Sequence, residues 1–205
     1  MESSKRKENE KKFKKDSIVS LSRTLLENKP MSEIDMHEIA KAAGYTKRTL
    51  YNYFKGKDEI FDEIKLLEII EFFQNFDNET SKLEINSIER FFKSYGKITI
   101  DYYIKYPYKL RFRIEHDLEM KTRRLDQSLY ERLSELTLKR TEKRIKTIQD
   151  LTGRNAKDSF IVFNIFIQSL RIILYEANIY RDADPKYSER TIELFYETFL
   201  KGVCS

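Results

Sequence analysis

The sequence predicts an all-α chain, in which an N-terminal three-helix domain with a helix-turn-helix precedes a larger helical bundle. Three observations carry this. The 205 residues include only three prolines and five glycines, so little punctuates the chain. Apolar residues recur along most of it with helical rather than alternating spacing. Between Asp35 and Phe54, a capping sequence, a glycine and a second capping residue bracket two short amphipathic segments.

Ile18, Leu21, Leu25 and Leu26 fall at i, i+3, i+7 and i+8, one face of a first helix that stops before Pro30. The polar, lysine-rich residues ahead of it read as a basic tail. Asp35 opens a D-x-x-E capping box with Glu38, whose carboxylates satisfy free N–H groups at the start of a short helix over 36–43. Gly44 ends it. Thr46 caps the next helix, 47–54, and Asp58 the one after. The helices then lengthen, to about 59–76, 85–106, 108–119, 122–151, 156–180 and 186–201. Pro107 separates two of them. Asp184 and Pro185 form a cap and first turn for the last, whose Ile192, Phe195, Tyr196, Phe199 and Val203 share one stripe. The chain thus divides into a helix-turn-helix domain with its basic tail, 1–57, and a larger helical domain, 58–205.

Hydrophobic residues make up 40% and aromatics 13% of the chain, enough to bury a core in one domain or two small ones. The single cysteine, Cys204, allows neither an intrachain disulfide nor a thiolate metal cluster, and points to a reducing interior. The lysine-rich start has no apolar core and is no secretory signal. The most apolar stretch, 160–175, is interrupted by Asn164, Gln168, Ser169 and Arg171, and falls short of the roughly 20 apolar residues of a bilayer span. The expectation is a soluble cytoplasmic protein with no membrane partner. Charge is unevenly placed: residues 1–57 hold 14 Lys/Arg against 8 Asp/Glu, and the remainder holds 25 against 26. An N-terminal module facing a polyanion fits this asymmetry. Charge alone leaves both nucleic acid and an anionic membrane surface open.

The stretch GYTKRTLYNYFKGK, residues 44–57, sets Tyr45, Tyr51, Tyr53 and Phe54 among Lys47, Arg48, Lys55 and Lys57 without one acid. Ile39, Ala40 and Ala43 give the preceding helix a small apolar face. Leu50 and Phe54, four apart, give this one a narrow face that can lie against it. At about 100° per residue the opposite face centres near Asn52, with Arg48 and Thr49 close by and Tyr51 and Tyr53 on the flanks. Lys and Arg at the helix start match guanine O6 and N7, and Asn matches adenine N6 and N7. Tyrosine hydroxyls and lysines at the margins suit phosphate oxygens. An ordinary amphipathic helix with a merely solvated charged face has the same composition. The acid-free run, the glycine turn and the local charge surplus together favour a nucleic-acid surface.

The segment MHEIAKAAGYTKRTLYNYFKGKDEIFDEI resembles the DNA-binding signature of the tetracycline-repressor-like (TetR) family of bacterial transcriptional regulators, roughly I-A-x-x-A-G-V-S-x-x-T-L-Y-x-Y-F-x-x-K-x-x-L. The match falls on Ile39, Ala40, Ala43, Gly44, Thr46, Thr49, Leu50, Tyr51, Tyr53, Phe54 and Lys57. The resemblance is close over about 10–64 and extends beyond that only to length and helix count. It implies that Lys47, Arg48 and Thr49 face base edges, that Tyr51, Asn52 and Tyr53 contact backbone or bases, and that Lys57 holds a phosphate of a double-stranded DNA operator. Pro30 stands where the family usually has Gly, Asp35 where it often has Thr or Ser, and Tyr45 where it has a small aliphatic residue.

In 160–175 apolar residues occupy nearly every face, so the helix needs cover on more than one side. With the stripe from Ile192 to Val203 it makes a two-helix surface that can meet its copy across a two-fold axis, or serve as the core of a monomer. TetR-like proteins are similar, usually dimerising through their last helices, which implies a homodimer here. Asn164, Gln168, Arg171 and Tyr175 recur at i, i+4, i+7 and i+11 as one polar stripe that needs partners. Dimer contacts and interhelical bonds are the commoner use of such a stripe, a ligand-binding wall the other. Residues 58–205 also carry 22 of the 27 aromatics, most of them necessarily core. The residues marked for a small-molecule effector pocket are Tyr102, Phe112, His116, Asn164 and Gln168.

His37 and His116 lack partners at metal spacing, and no metal site or cofactor is expected. The basic run KRTEKRIK, 139–146, reads as a solvated helix face before a second nucleic-acid site. No phosphate-binding glycine loop, G-x-S-x-G or clustered nucleophile and base occurs, so an enzyme is not expected. The resemblance implies a dimeric transcriptional repressor released from a near-palindromic operator by a small molecule. The alternative is a DNA-binding regulator or architectural protein controlled by a protein partner.

Overall fold

The computed structural model describes residues 2–122, 127–180 and 185–204. The described residues form nine α-helices and no strand: α1 (Glu2–Arg23), α2 (Met36–Ala43), α3 (Lys47–Tyr51), α4 (Lys57–Thr80), α5 (Ile88–Lys105), α6 (Pro107–Thr122), α7 (Gln127–Thr152), α8 (Ala156–Tyr180) and α9 (Pro185–Cys204). Short 3-10 turns occupy Thr24–Glu27 and Met31–Glu33. The all-α expectation holds, and α2 and α8 have the expected bounds. Asp184, expected to cap the last helix, lies outside the described residues.

The other helices differ from expectation at one or both ends; α4 begins at Lys57, so Asp58 lies in its first turn instead of capping it, and two further differences have clear local causes. The lysine-rich start is helical from Glu2, because Lys, Glu and Arg are good helix formers even without an apolar stripe. Glu10 and Lys14 pair there at i, i+4 over 2.8 Å. The helix expected over 47–54 stops at Tyr51, where the Leu50 carbonyl accepts the amides of both Tyr53 and Phe54 at 2.9 Å and the chain turns. Phe54 is nonetheless buried, so the apolar pair survives the end of the helix.

The chain forms two compact units, Met1–Ile69 with Arg111–Leu129, and Ile70–Leu110 with Tyr130–Ser205. In the first, α1 packs on α2 and α2 on α3. Its interior includes Ile18, Leu26, Ile34, Ile39, Leu50, Phe54, Phe61 and Phe112, all at most 2% exposed. Phe61 and Phe112 face each other at 6.1 Å between centroids.

The second unit is built on aromatic side chains. Its α8 and α9 pack along each other, and α5 touches both. Phe92 of α5 meets Phe166 of α8 at 4.8 Å and Phe199 of α9 at 4.9 Å. Phe195 stacks on Phe166 at 5.7 Å. Rings of this size dominate the burial energy of a core. By length and composition α8 is apolar enough to cross a membrane, with mean hydropathy 1.5 over Ala156–Asn178. However, Phe166, Leu170 and Leu174 are buried within this unit, and Gln168 and Arg171 hydrogen-bond each other on the same helix.

One close approach fixes α5 against α9. A β-carbon at Gly96 would stand 1.5 Å from the Tyr196 hydroxyl and 3.1 Å from the Phe166 ring. Only glycine leaves room there. Burial pushes the Tyr196 phenol above its ordinary pKa, so the group enters this site neutral. Gly96→Ala is expected to destabilise the protein by about 1–3 kcal/mol through overpacking. A lowered urea midpoint at unchanged m-value checks this; an unchanged midpoint would show that Tyr196 moves aside freely.

Candidate nucleic-acid interface

Local hydrogen bonds build the α2–α3 pair. Asp35 accepts the amides of His37 at 2.7 Å and Glu38 at 2.9 Å, and Glu38 reaches back to the Asp35 amide at 3.3 Å, completing the capping box. The amides of Glu38 and then His37 hold the Asp35 carboxyl below its usual pKa. Lys29, hydrogen-bonded to Glu38, lowers that carboxyl in turn. Gly44 ends α2 at φ 72°, a left-handed conformation that favours glycine. Thr46 then caps α3 by accepting the Thr49 amide at 3.1 Å.

Leu50 and Phe54, 0% and 2% exposed, face inward. Lys47, Arg48, Tyr51 and Asn52 are exposed on the other side, with Thr49 and Tyr53 half-buried at the edges. Lys47 and Arg48 make no ion pair with a carboxylate among the described residues. The Thr49 hydroxyl is already hydrogen-bonded to that of Thr46 at 2.9 Å. The result is a short helix with a two-residue anchor and an outer face of cations, a carboxamide and a phenol. Such groups can donate to phosphate oxygens and base edges in a major groove.

Lys57, the first residue of α4, is half-buried, and its ammonium group donates to the Ile34 carbonyl at 3.2 Å. An ammonium has three donors, so this bond braces the side chain while leaving capacity for an anion. Glu59, in the first turn of α4, accepts the Lys55 amide at 2.7 Å and pairs with Lys15 at 3.4 Å. The Lys15 ammonium also lies 4.8 Å from the centre of the Phe54 ring. Glu59 sits where a capping box places its acid, and that spacing is its only signal in the sequence.

The sequence gives no sign of how α6 fastens this unit. Arg111 donates to the carbonyls of Leu26 and, at 3.0 Å, Lys29. Glu115 accepts the Met31 amide at 2.9 Å. These bonds satisfy backbone groups in the irregular stretch between α1 and α2, which would otherwise be costly to bury. On the same helix Asp117 pairs with the buried Lys65 of α4 at 2.6 Å, and His116 Nε2 lies 2.8 Å from Asp62 Oδ1.

Of the five residues marked for an effector pocket, two fall in the first unit and three in the second. Phe112 and His116 belong to the first unit, 1% exposed each, and pack edge to face at 5.7 Å. In the second unit, the buried Tyr102 accepts from Lys109 at 3.2 Å, and Asn164 and Gln168 are engaged along α8 with Phe160 and Arg171. Two open clefts of that unit, of about 630 and 660 Å³, are lined by none of the five.

Residues 18–64 match the family model described as bacterial regulatory proteins, tetR family. No curated protein matches the chain. Among solved structures, a TetR variant from Acinetobacter baumannii AYE in complex with minocycline is similar at TM-score 0.62 and 14% identity, covering 91% of this chain and 94% of that one. The ketosteroid transcriptional regulator KstR2 of Mycobacterium tuberculosis is similar at TM-score 0.62 and 13% identity, covering 92% and 93%. At such identities the likeness is one of fold. Residues 18–64 thus carry a domain of the tetR family, and the chain as a whole has the fold of these regulators.

Proposed function

We propose that the chain is a homodimeric transcriptional repressor that holds a near-palindromic DNA operator with two copies of α3 and releases it when the C-terminal part takes up a small molecule. The observation that carries this is the outer face of α3, where Lys47, Arg48 and Asn52 stand exposed above the buried Leu50. Among the described residues Asp35 acts on Lys47 only at a distance and no carboxylate forms an ion pair with either cation, so both are open to a polyanion.

Pairing of two chains is supported by the apolar side chains that a single copy leaves uncovered on its last helices. Ile161, Ile165 and Ile172 of α8 are 44%, 53% and 57% exposed, and Leu194 of α9 is 50% exposed. A self-complementary patch of this kind suits a two-fold interface. Two α3 helices about 34–36 Å apart would then enter successive major grooves on one face of the duplex. Release requires only that the effector favour the shape that cannot bind DNA, and a coupling of about 1–3 kcal/mol is typical. The minocycline bound to the Acinetobacter protein is the precedent for a small molecule in this fold.

Site selection from a randomised duplex pool, followed by anisotropy titration, tests the roles on α3 and α4. Arg48→Ala is expected to relax base preference at one position in each half-site and to cost about 1–3 kcal/mol against the preferred sequence. Unchanged preference would remove Arg48 from base readout. Lys57→Ala is expected to weaken binding to all duplexes alike and to lower the slope of log affinity against log salt by about one. A slope equal to that of the unaltered chain would leave Lys57 only its bond to Ile34.

A further inference from the structure

The second unit holds an open cleft of about 660 Å³ bordered by the C-terminal end of α4, the turn after it, α5 and α7. Part of its lining is apolar, from Leu83 and Ile85 to Phe91 and Tyr95, whose rings stack at 4.3 Å. The rest is largely one face of α7, where Lys139, Arg140 and Lys143 follow in close succession. Only one acid lines the cleft. It is Asp77, and Arg140 Nε already pairs with it at 3.1 Å. Lys139 and Lys143 have no carboxylate partner among the described residues.

Behind Tyr95, Arg144 follows on the same helix and is 8% exposed. Its guanidinium carbon lies 4.9 Å from the centre of the Phe76 ring, 5.2 Å from Phe73, 5.6 Å from Tyr95 and 5.7 Å from Phe163. No carboxylate among the described residues pairs with it. Burial pulls its pKa below the ordinary arginine value, and the Tyr95 hydroxyl restores only part of the loss. A buried cation held by rings and one phenol hydroxyl, with Asp77 acting only at a distance, is an expensive arrangement, and an anion in contact lowers its cost.

We propose that this cleft binds an organic carboxylate with an apolar body. The head group sits against Arg140 and Lys143, within the field of Arg144, and the hydrocarbon lies on Ile85, Phe91 and Tyr95. Lone and paired cations supply charge-assisted hydrogen bonds to a carboxylate. The aromatic floor selects for hydrocarbon, to which a bare inorganic anion has no equivalent. That such a ligand acts as the effector rests on the repressor reading above; the binding itself does not.

Isothermal titration calorimetry on the full chain tests this with 4-phenylbutyrate and a series of straight-chain fatty carboxylates, each beside its neutral primary amide. At least one carboxylate should saturate a single site, with its amide weaker by roughly tenfold or more. The double variant Lys139→Gln, Lys143→Gln alters only exposed side chains, so it should keep its melting temperature while losing affinity by a similar factor. Equal affinity for acid and amide, unchanged binding by the double variant, or no saturation by any carboxylate in the millimolar range would each overturn the site. Loss of duplex affinity in that variant with carboxylate binding intact would assign these cations to nucleic acid, and overturn it too. Carboxylate-specific binding that leaves operator affinity unchanged would keep the site and remove the effector role. Operator release by an uncharged ligand, with no carboxylate bound, would do the reverse.

Discussion

Burial of Leu50 and Phe54 decides which way α3 faces, and the interface depends on that orientation. With no Leu50 side chain left in solvent, the helix cannot rotate without exposing it. Arg48 and Asn52 are therefore held outward by an apolar contact that neither of them makes. The anchor is small, so the surrounding hydrogen bonds must hold the backbone. The capping box on α2, the left-handed Gly44 and the Thr46 cap fix the entry to α3, while the shared Leu50 carbonyl and the Glu59 bond to Lys55 fix its exit. A helix of five residues is too short to persist by propensity alone.

Charge acts at two levels in this unit. Paired groups such as Asp117 with Lys65, and Glu59 with Lys15, lock helices to each other. Lys47 and Arg48 form no ion pair with a carboxylate among the described residues. Asp35, Glu38 and Glu59 sit in the caps and first turns of α2 and α4, away from the outer face of α3. The continuous α4, whose first turn carries Lys57, is shared by both units of the chain.

Features set by neighbouring residues were legible in the sequence. Asp35 with Glu38, Gly44 and Thr46 act within four residues of themselves, and spacing reveals them directly. The bounds of α8 follow from a sustained apolar pattern. The helical start of α1 was hidden because residues 2–15 lack an apolar stripe, and the end of α3 because the Leu50 to Phe54 spacing is satisfied equally by a helix or by the turn that forms. Contacts made across long separations left no trace at all. Nothing near Arg111 or Glu115 announces that they bind backbone groups more than 80 residues away, nor does Gly96 announce the Tyr196 hydroxyl against it. Residue type alone marked His116 for a pocket, and nothing in the sequence announces its contact with Asp62, 54 residues away.

In the function proposed above, two copies of α3 grip one face of a duplex together. Hydroxyl-radical footprinting of the full chain on a selected operator measures this directly. Two protected patches are expected, related by two-fold symmetry and separated by about one helical turn, both lost when Arg48 and Lys47 are replaced by alanine. A single patch, patches on opposite faces, or protection that survives those replacements would contradict it.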